Sequence, residues 1–420
     1  MGTATDHGTG SAPGRRKELG GVIVPCFEDP YLELVRLLRE GAGLEHTLLV
    51  TYLFSLFSLK ARYADVRGSL SESSYLERNP FAHGASWGVY QPETFLDLAL
   101  EEMQHLDLVN RFLCDLAVSP TLMPHTFPDV SDIYPFTITP APLSRWTTAT
   151  FLWAEADACA LSASPDCAGR QRDPALAAEV RQVLRDEAPP HHEPIDFEPV
   201  SHLGSLYHRV VEVARIVRSL ALAGKLSTVA TTFAWDEHIE AMLWLTEEGE
   251  IAHFDFFRSL FTGEAFGGDA SVWSDPGSEV YPSVPLRWES AYPGRRRSIE
   301  PEPARRIAWL SDLCYWTVLA LLDLRYHGQD RVLQYLAIDV MTQGFWPLAE
   351  LLAEGYGFGP PFDRLGPQYD VGRDASSARA FISLLAGEAK LLAAELSRAG
   401  LLPEGFAQTL LERVQAALAG

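Results

Sequence analysis

The chain has 420 residues, 47% of them hydrophobic and 21% charged, and a formal net charge of -22. That is enough apolar content for a large core, and too acidic a balance for nucleic acid or an anionic membrane to be the main partner. Five scattered cysteines (Cys26, Cys114, Cys159, Cys167, Cys314) without a CxxC, no charged-then-apolar leader and no apolar run of about 18 residues point to a reduced, cytoplasmic protein that does not span a membrane.

Residues 1–22, rich in Gly, Ser, Thr and Ala, read as a disordered tail. Helical spacing of apolar residues then predicts a long helix from Tyr31 to about Lys60, with Leu34, Leu37, Leu38, Leu44, Leu48 and Leu49 inward and Glu45 in its middle. After a Ser, Gly, Tyr and Pro rich excursion over 61–90, a second helix runs from Pro92 to about Leu116, and a Pro-punctuated loop follows to Leu143. A shorter helix spans Arg145 to Leu161, then comes an acidic stretch broken by Pro189, Pro190, Pro194 and Pro199. A third long helix is expected over Leu203–Ala223, a fourth over Trp235–Phe261, and a long Gly/Pro/Ser loop over 263–303. Further helices are expected near 304–326, 331–355, 376–398 and 404–418.

Two Glu-x-x-His pairs, Glu102/His105 and Glu250/His253, fall on the second and fourth of these long helices. Residues three apart on a helix share a face, so each pair offers a carboxylate and an imidazole to one point. With 32 Glu and 12 His, chance alone gives roughly one such pair, so the surroundings have to carry the argument. Both pairs sit among apolar positions: Leu98, Leu106 and Val109 around the first, Leu243, Ile251 and Phe254 around the second. A carboxylate in such a place must be paired or metal-bound. With Glu45 on helix one and Glu212 on helix three, the order Glu, Glu-x-x-His, Glu, Glu-x-x-His matches the ligand set of dimetal four-helix bundles.

Several residues have a blander reading beside the functional one. Glu212 can pair with Arg209 or Arg215 instead, and Ser205 is an alternative inward polar position; His208 can orient Glu212. His46 reads as a core or supporting residue, and His191 and His192 as a solvated loop. Asp236, Glu237 and Glu240 read as the exposed start of helix four, where Asp236 can cap. Tyr52, Phe54 and Phe57 read as bundle core, but Tyr52, two turns after Glu45, is within reach of the metal cavity and is expected, with Glu102 and Glu250, to be a catalytic residue.

The segments EEMQHLDLVNRFLCDLAVSP, EHTLLVTYLFSLFS and EEGEIAHFDFF, with YWTVLALL, MTQGFWPLAELL and GPPF further on, resemble the ferritin-like domain family that includes the iminophenyl-pyruvate dimer synthases of bis-indole pigment biosynthesis. The similarity spans most of residues 30–365. It implies a role in bacterial secondary metabolism, on amino-acid-derived substrates such as imines. The dimer synthases are much longer chains. Where the family shows a Glu after the Gly at the start of helix three, this chain has Gly204-Ser205, and the Glu250 to His253 spacing is shorter than the family's.

The expectation is an all-α, ferritin-like four-helix bundle over 23–300 with long loop insertions, and a C-terminal helical extension, 301–420, packed on it. Carboxylates and imidazoles without thiolate suit two Fe ions, or Mn, and O2 as co-substrate. Glu102 and Glu250 are expected to bridge, Glu45 and Glu212 to be terminal, and His105 and His253 to bind one ion each. The function expected is a non-haem diiron oxidase or oxygenase acting on a small organic molecule, with an electron donor and a homodimer as possible partners. The rival readings are a Lewis-acid imine dimerisation or tailoring enzyme, a ferritin-like iron-binding protein, and a purely structural bundle.

Overall fold

The computed structural model describes residues 23, 25–70, 91–122, 127, 136–157, 160–161, 173–188, 202–226, 233–294, 297–328, 331–365 and 374–419. The expected N-terminal tail and the His191/His192 loop lie outside them. Helix α1, Pro30–Ser58, starts where Asp29 accepts the Tyr31 and Leu32 amides at 2.9 and 3.0 Å and Pro30 presets the first turn. Helix α2, Phe95–Asp115, is capped by Thr94, and α3, Arg145–Glu155, by a Ser144/Thr147 capping box. Helix α3 stops at Glu155 rather than Leu161, because Ala156 turns to extended backbone.

Helix α4, Pro174–Asp186, was not expected. Asp173 caps it, and Leu176, Val180, Val183 and Leu184 form its buried stripe. Helix α5 is Leu203–Leu222. Helix α6, Trp235–Glu248, runs through a π turn, Gly249–His253, into α7, Phe254–Thr262, which ends on left-handed Gly263. Asp236 does not cap α6; it pairs with Arg218 of α5 at 2.7 Å.

Helices α1, α2, α6 and α5 close a ring in which each packs on its two neighbours, and α3 lies outside the ring against α5, α7 and the π turn. The bundle interior is apolar, with Leu34, Leu48, Leu98, Val109 and Phe254 buried; Leu243, expected inward, is 38% exposed. Tight packing is visible at Gly41 of α1, where an added Cβ would lie 3.0 Å from the Tyr207 hydroxyl. The missing side chain lets Tyr207 lie across α1 one turn before Glu45.

The C-terminal helices are α8, Glu302–Gly328; α9, Arg331–Val340; a second π turn, Met341–Phe345; α10, Trp346–Tyr356; α11, Ala375–Arg398; and α12, Gln408–Leu418. Helix α8 packs on α9, α10 and α11, and α10 also meets α1. Helix α8 is long and apolar enough to cross a membrane by length and composition, yet 83% of its apolar window is buried inside the molecule. It is a core helix. The described part of the long connection before it has no strands, only isolated bridges such as Leu59 to Ser283 and Arg287 to Phe358.

Candidate metal centre

Five carboxylates and two imidazoles meet at mid-bundle: Glu45 of α1, Glu101, Glu102 and His105 of α2, Glu155 of α3, Glu248 of α6 and His253 of the π turn. All are buried, none more than 3% exposed. Glu102 lies between the two rings. Its Oε2 is 3.4 Å from His105 Nδ1 and its Oε1 is 3.0 Å from His253 Nδ1. Glu45 Oε2 approaches His105 Nδ1 at 3.7 Å, and Glu155 Oε2 approaches His253 Nδ1 at 3.6 Å. The two imidazoles stack with centroids 5.3 Å apart.

The outer ring nitrogens are held crosswise. His105 Nε2 lies 3.0 Å from Glu248 Oε2, and His253 Nε2 lies 2.9 Å from Glu101 Oε2. A carboxylate accepts, so each Nε2 carries the proton, and a neutral ring then turns the lone pair of Nδ1 inward. That lone pair would face carboxylate oxygens, acceptor against acceptor. Glu45 Oε2, both oxygens of Glu102, Glu101 Oε1 and His253 Nδ1 are buried and form no hydrogen bond. Only protons or metal cations relieve this arrangement, and buried unpaired charge costs several kcal/mol per ion in dry surroundings.

The titration behaviour reflects the same conflict. Burial, together with the charge of Glu102, pushes Glu45 up to about 8, and burial pushes Glu101 up to about 7. Burial works against His105 and His253, yet the surrounding carboxylates hold both well above the ordinary imidazole range. The same two rings overcome burial at Glu102 and hold it below the ordinary carboxylate range. Without a cation, protons fill the cluster. With buried carboxylate and imidazole donors and no thiolate, the set fits Fe or Mn.

Of the six residues expected as ligands, the structure brings four together: Glu45, Glu102, His105 and His253. Glu212 is a correction. Its side chain is 62% exposed on the outer face of α5 and pairs with Arg209 at 2.5 Å, and His208 does not orient it. Glu250 is a second correction: it does not share a face with His253, because the π turn changes the spacing within Glu250-x-x-His253. Its carboxylate lies over Gly204, where an added Cβ would be 2.1 Å from Oε1, and 3.7 Å from His208. Glu250 therefore does not join the cluster expected around His253.

Tyr52, read as near the cavity, is fully buried and donates to Glu155 Oε1 at 2.6 Å. Tyr207 donates to Glu45 Oε1 at 2.5 Å. Sequence reasoning missed Glu101, Glu248, Glu155 and Tyr207. For Glu101 and Glu248 a signal existed, since each is a member of a Glu-Glu doublet within an apolar helix.

His46 turns away from the cluster. Its Nε2 lies 2.5 Å from the Tyr315 hydroxyl of α8. The pair borders an apolar cavity of about 80 Å3 on the opposite side of α1 and α2, also lined by Val50, Met103, Ala337 and Met341 of the second π turn. No cluster carboxylate lines it.

Residues 38–241 match the family model described as Ferritin-like. The match runs from α1 into α6 and takes in Glu45, Glu102, His105 and Glu155, ending before His253. The all-α, ferritin-like fold expected from the sequence is the fold found. Comparison with curated proteins and with solved structures gave no match.

Proposed function

We propose that this protein is a non-haem diiron enzyme that uses O2 to oxidise or oxygenate a small organic substrate. The observation that carries the reading is Glu102: fully buried, with both oxygens free of hydrogen bonds and each within 3.4 Å of an inward imidazole nitrogen. A carboxylate in that state would be available to hold cations through both of its oxygens. Glu45, Glu102, His105 and His253 would hold them, and when bound, iron would supply the one-electron steps that let O2 react with an organic molecule. The protein's part is to exclude water, turn Nδ1 of both rings inward by engaging each Nε2 with Glu248 or Glu101, and fix the terminal carboxylate through Tyr207. The resemblance to the iminophenyl-pyruvate dimer synthases supports an aromatic, amino-acid-derived substrate in bacterial secondary metabolism.

Protein loaded anaerobically with Fe(II) and then exposed to O2 tests this. The expected result is O2 uptake that requires bound iron and is abolished in Glu102→Ala, with iron binding saturating at a small fixed stoichiometry. Iron-loaded protein that leaves O2 untouched would overturn the redox reading. Continued accumulation of oxidised iron over repeated additions would favour iron storage.

A further inference from the structure

We propose that Glu155, on a helix outside the four-helix ring, is the third carboxylate of a two-cation site and takes the place that a third-helix ligand was expected to fill. This rests on the metal-centre reading above and extends it to the second cation. The cluster divides into two matching halves that share Glu102. In one, His105 Nδ1, Glu102 Oε2 and Glu45 Oε2 converge, with 3.4 and 3.7 Å from the ring nitrogen to the two oxygens. In the other, His253 Nδ1, Glu102 Oε1 and Glu155 Oε2 converge, with 3.0 and 3.6 Å.

The likeness extends to how each terminal carboxylate is held. Tyr207 binds Oε1 of Glu45 and Tyr52 binds Oε1 of Glu155, so in each the Oε2 is turned to the imidazole. A second tyrosine-anchored carboxylate in the mirror position is what a second cation would need, and it fits the requirement for rigid support around metal ligands.

Helix α5 offers no competitor. Glu212 points to solvent, and Ser205, the alternative inward polar position, is buried but carries no carboxylate. The π turn makes room for Glu155: a Cβ on Gly249 would lie 3.0 Å from its Oε2. The same turn carries Glu250 off toward Gly204 and His208. One local irregularity thus admits the carboxylate of α3 and dismisses that of the helix itself.

The test is cation stoichiometry on the full chain, stripped with chelator and reloaded anaerobically with Mn(II), read by elemental analysis and by electron paramagnetic resonance. Wild type, Glu212→Gln and Glu250→Gln are expected to bind two cations with the signature of a coupled pair. Glu155→Gln is expected to bind one, with an isolated-ion spectrum, and Glu155→Asp to recover part of the second. Should Glu155→Gln unfold, Tyr52→Phe serves, with the second cation expected to bind about 10–100-fold more weakly while the first is unchanged. Two tightly bound cations in Glu155→Gln, or in Tyr52→Phe where that variant is used, would overturn the inference, as would loss of one in Glu250→Gln. Wild type that binds no cation would instead sink the metal-centre reading itself.

Discussion

Tyr207 and Gly41 show how a single residue sets the chemistry of another. The Tyr207 hydroxyl reaches Glu45 only because Gly41 leaves its path open. Tyr207→Phe removes the donor that fixes Oε1 of Glu45, and cation affinity in titration calorimetry with Mn(II) should fall by about 10–100-fold; an unchanged affinity would show that Glu45 needs no orienting partner. At His202, which begins α5, burial lowers the imidazole to about 4, with Asp157 opposing and Arg181 adding to the effect, while Nδ1 sits 2.8 Å from the Trp153 carbonyl. The folded value is depressed, so the unfolded chain takes up the proton first. Stability from this residue is present above the unfolded value and is lost as pH falls toward 4. The loss should reach about 2 kcal/mol between pH 7.5 and 5. Urea midpoints at the two pH values should shift less in His202→Asn than in wild type, and equal shifts would remove His202 as a source of acid sensitivity.

At the scale of the element, the two imidazoles are held by each other's helices: α6 supplies Glu248 to His105, and α2 supplies Glu101 to His253. Replacing either charged acceptor by an amide weakens its hold on the tautomer of the ring it engages, because the amide can offer Nε2 either its oxygen or its NH2 group. Glu101→Gln and Glu248→Gln should each weaken Mn(II) binding by about 10–100-fold without removing a cation from the saturated protein, as equilibrium dialysis would show. Complete loss of one cation in either variant would make the mutated residue a ligand. Helix α2 is regular, so its Glu-x-x-His was legible from the spacing together with the apolar positions around it. The second pair was legible only in its histidine, because a π turn alters the 3.6-residue period on which the spacing argument depends. Glu155 was illegible for another reason: its helix is not among the four long ones, and one carboxylate at the end of an apolar segment carries no periodic signal. The helices themselves were visible wherever apolar residues recurred at helical spacing, and the caps at Asp29, Thr94 and Ser144 mark their starts in side-chain chemistry.

At the scale of the whole molecule, the bundle and the C-terminal helices are joined by buried polar contacts as well as apolar packing. Asp107, on α2 two residues past His105, accepts from Arg325 at 2.5 Å and from the Tyr326 hydroxyl at 2.6 Å, both on α8. Arg325 is 7% exposed and Asp107 3%. Both charges are buried, so deleting one removes the close counter-charge of the other, although Arg111 also approaches Asp107 at 3.7 Å. Asp107→Ala should therefore cost about 3–5 kcal/mol in urea denaturation. Replacing the pair with apolar groups of similar volume, Asp107→Leu with Arg325→Met, should restore much of that, since no uncompensated charge remains. The single variant carries a second expectation. The seam anchors the same stretch of α2 that presents Glu102 and His105, so loosening it should raise the Mn(II) dissociation constant of the folded protein even at concentrations of urea far below unfolding. If Asp107→Ala lost stability but bound Mn(II) as wild type does, the C-terminal helices would be supporting the fold without helping to position the metal centre.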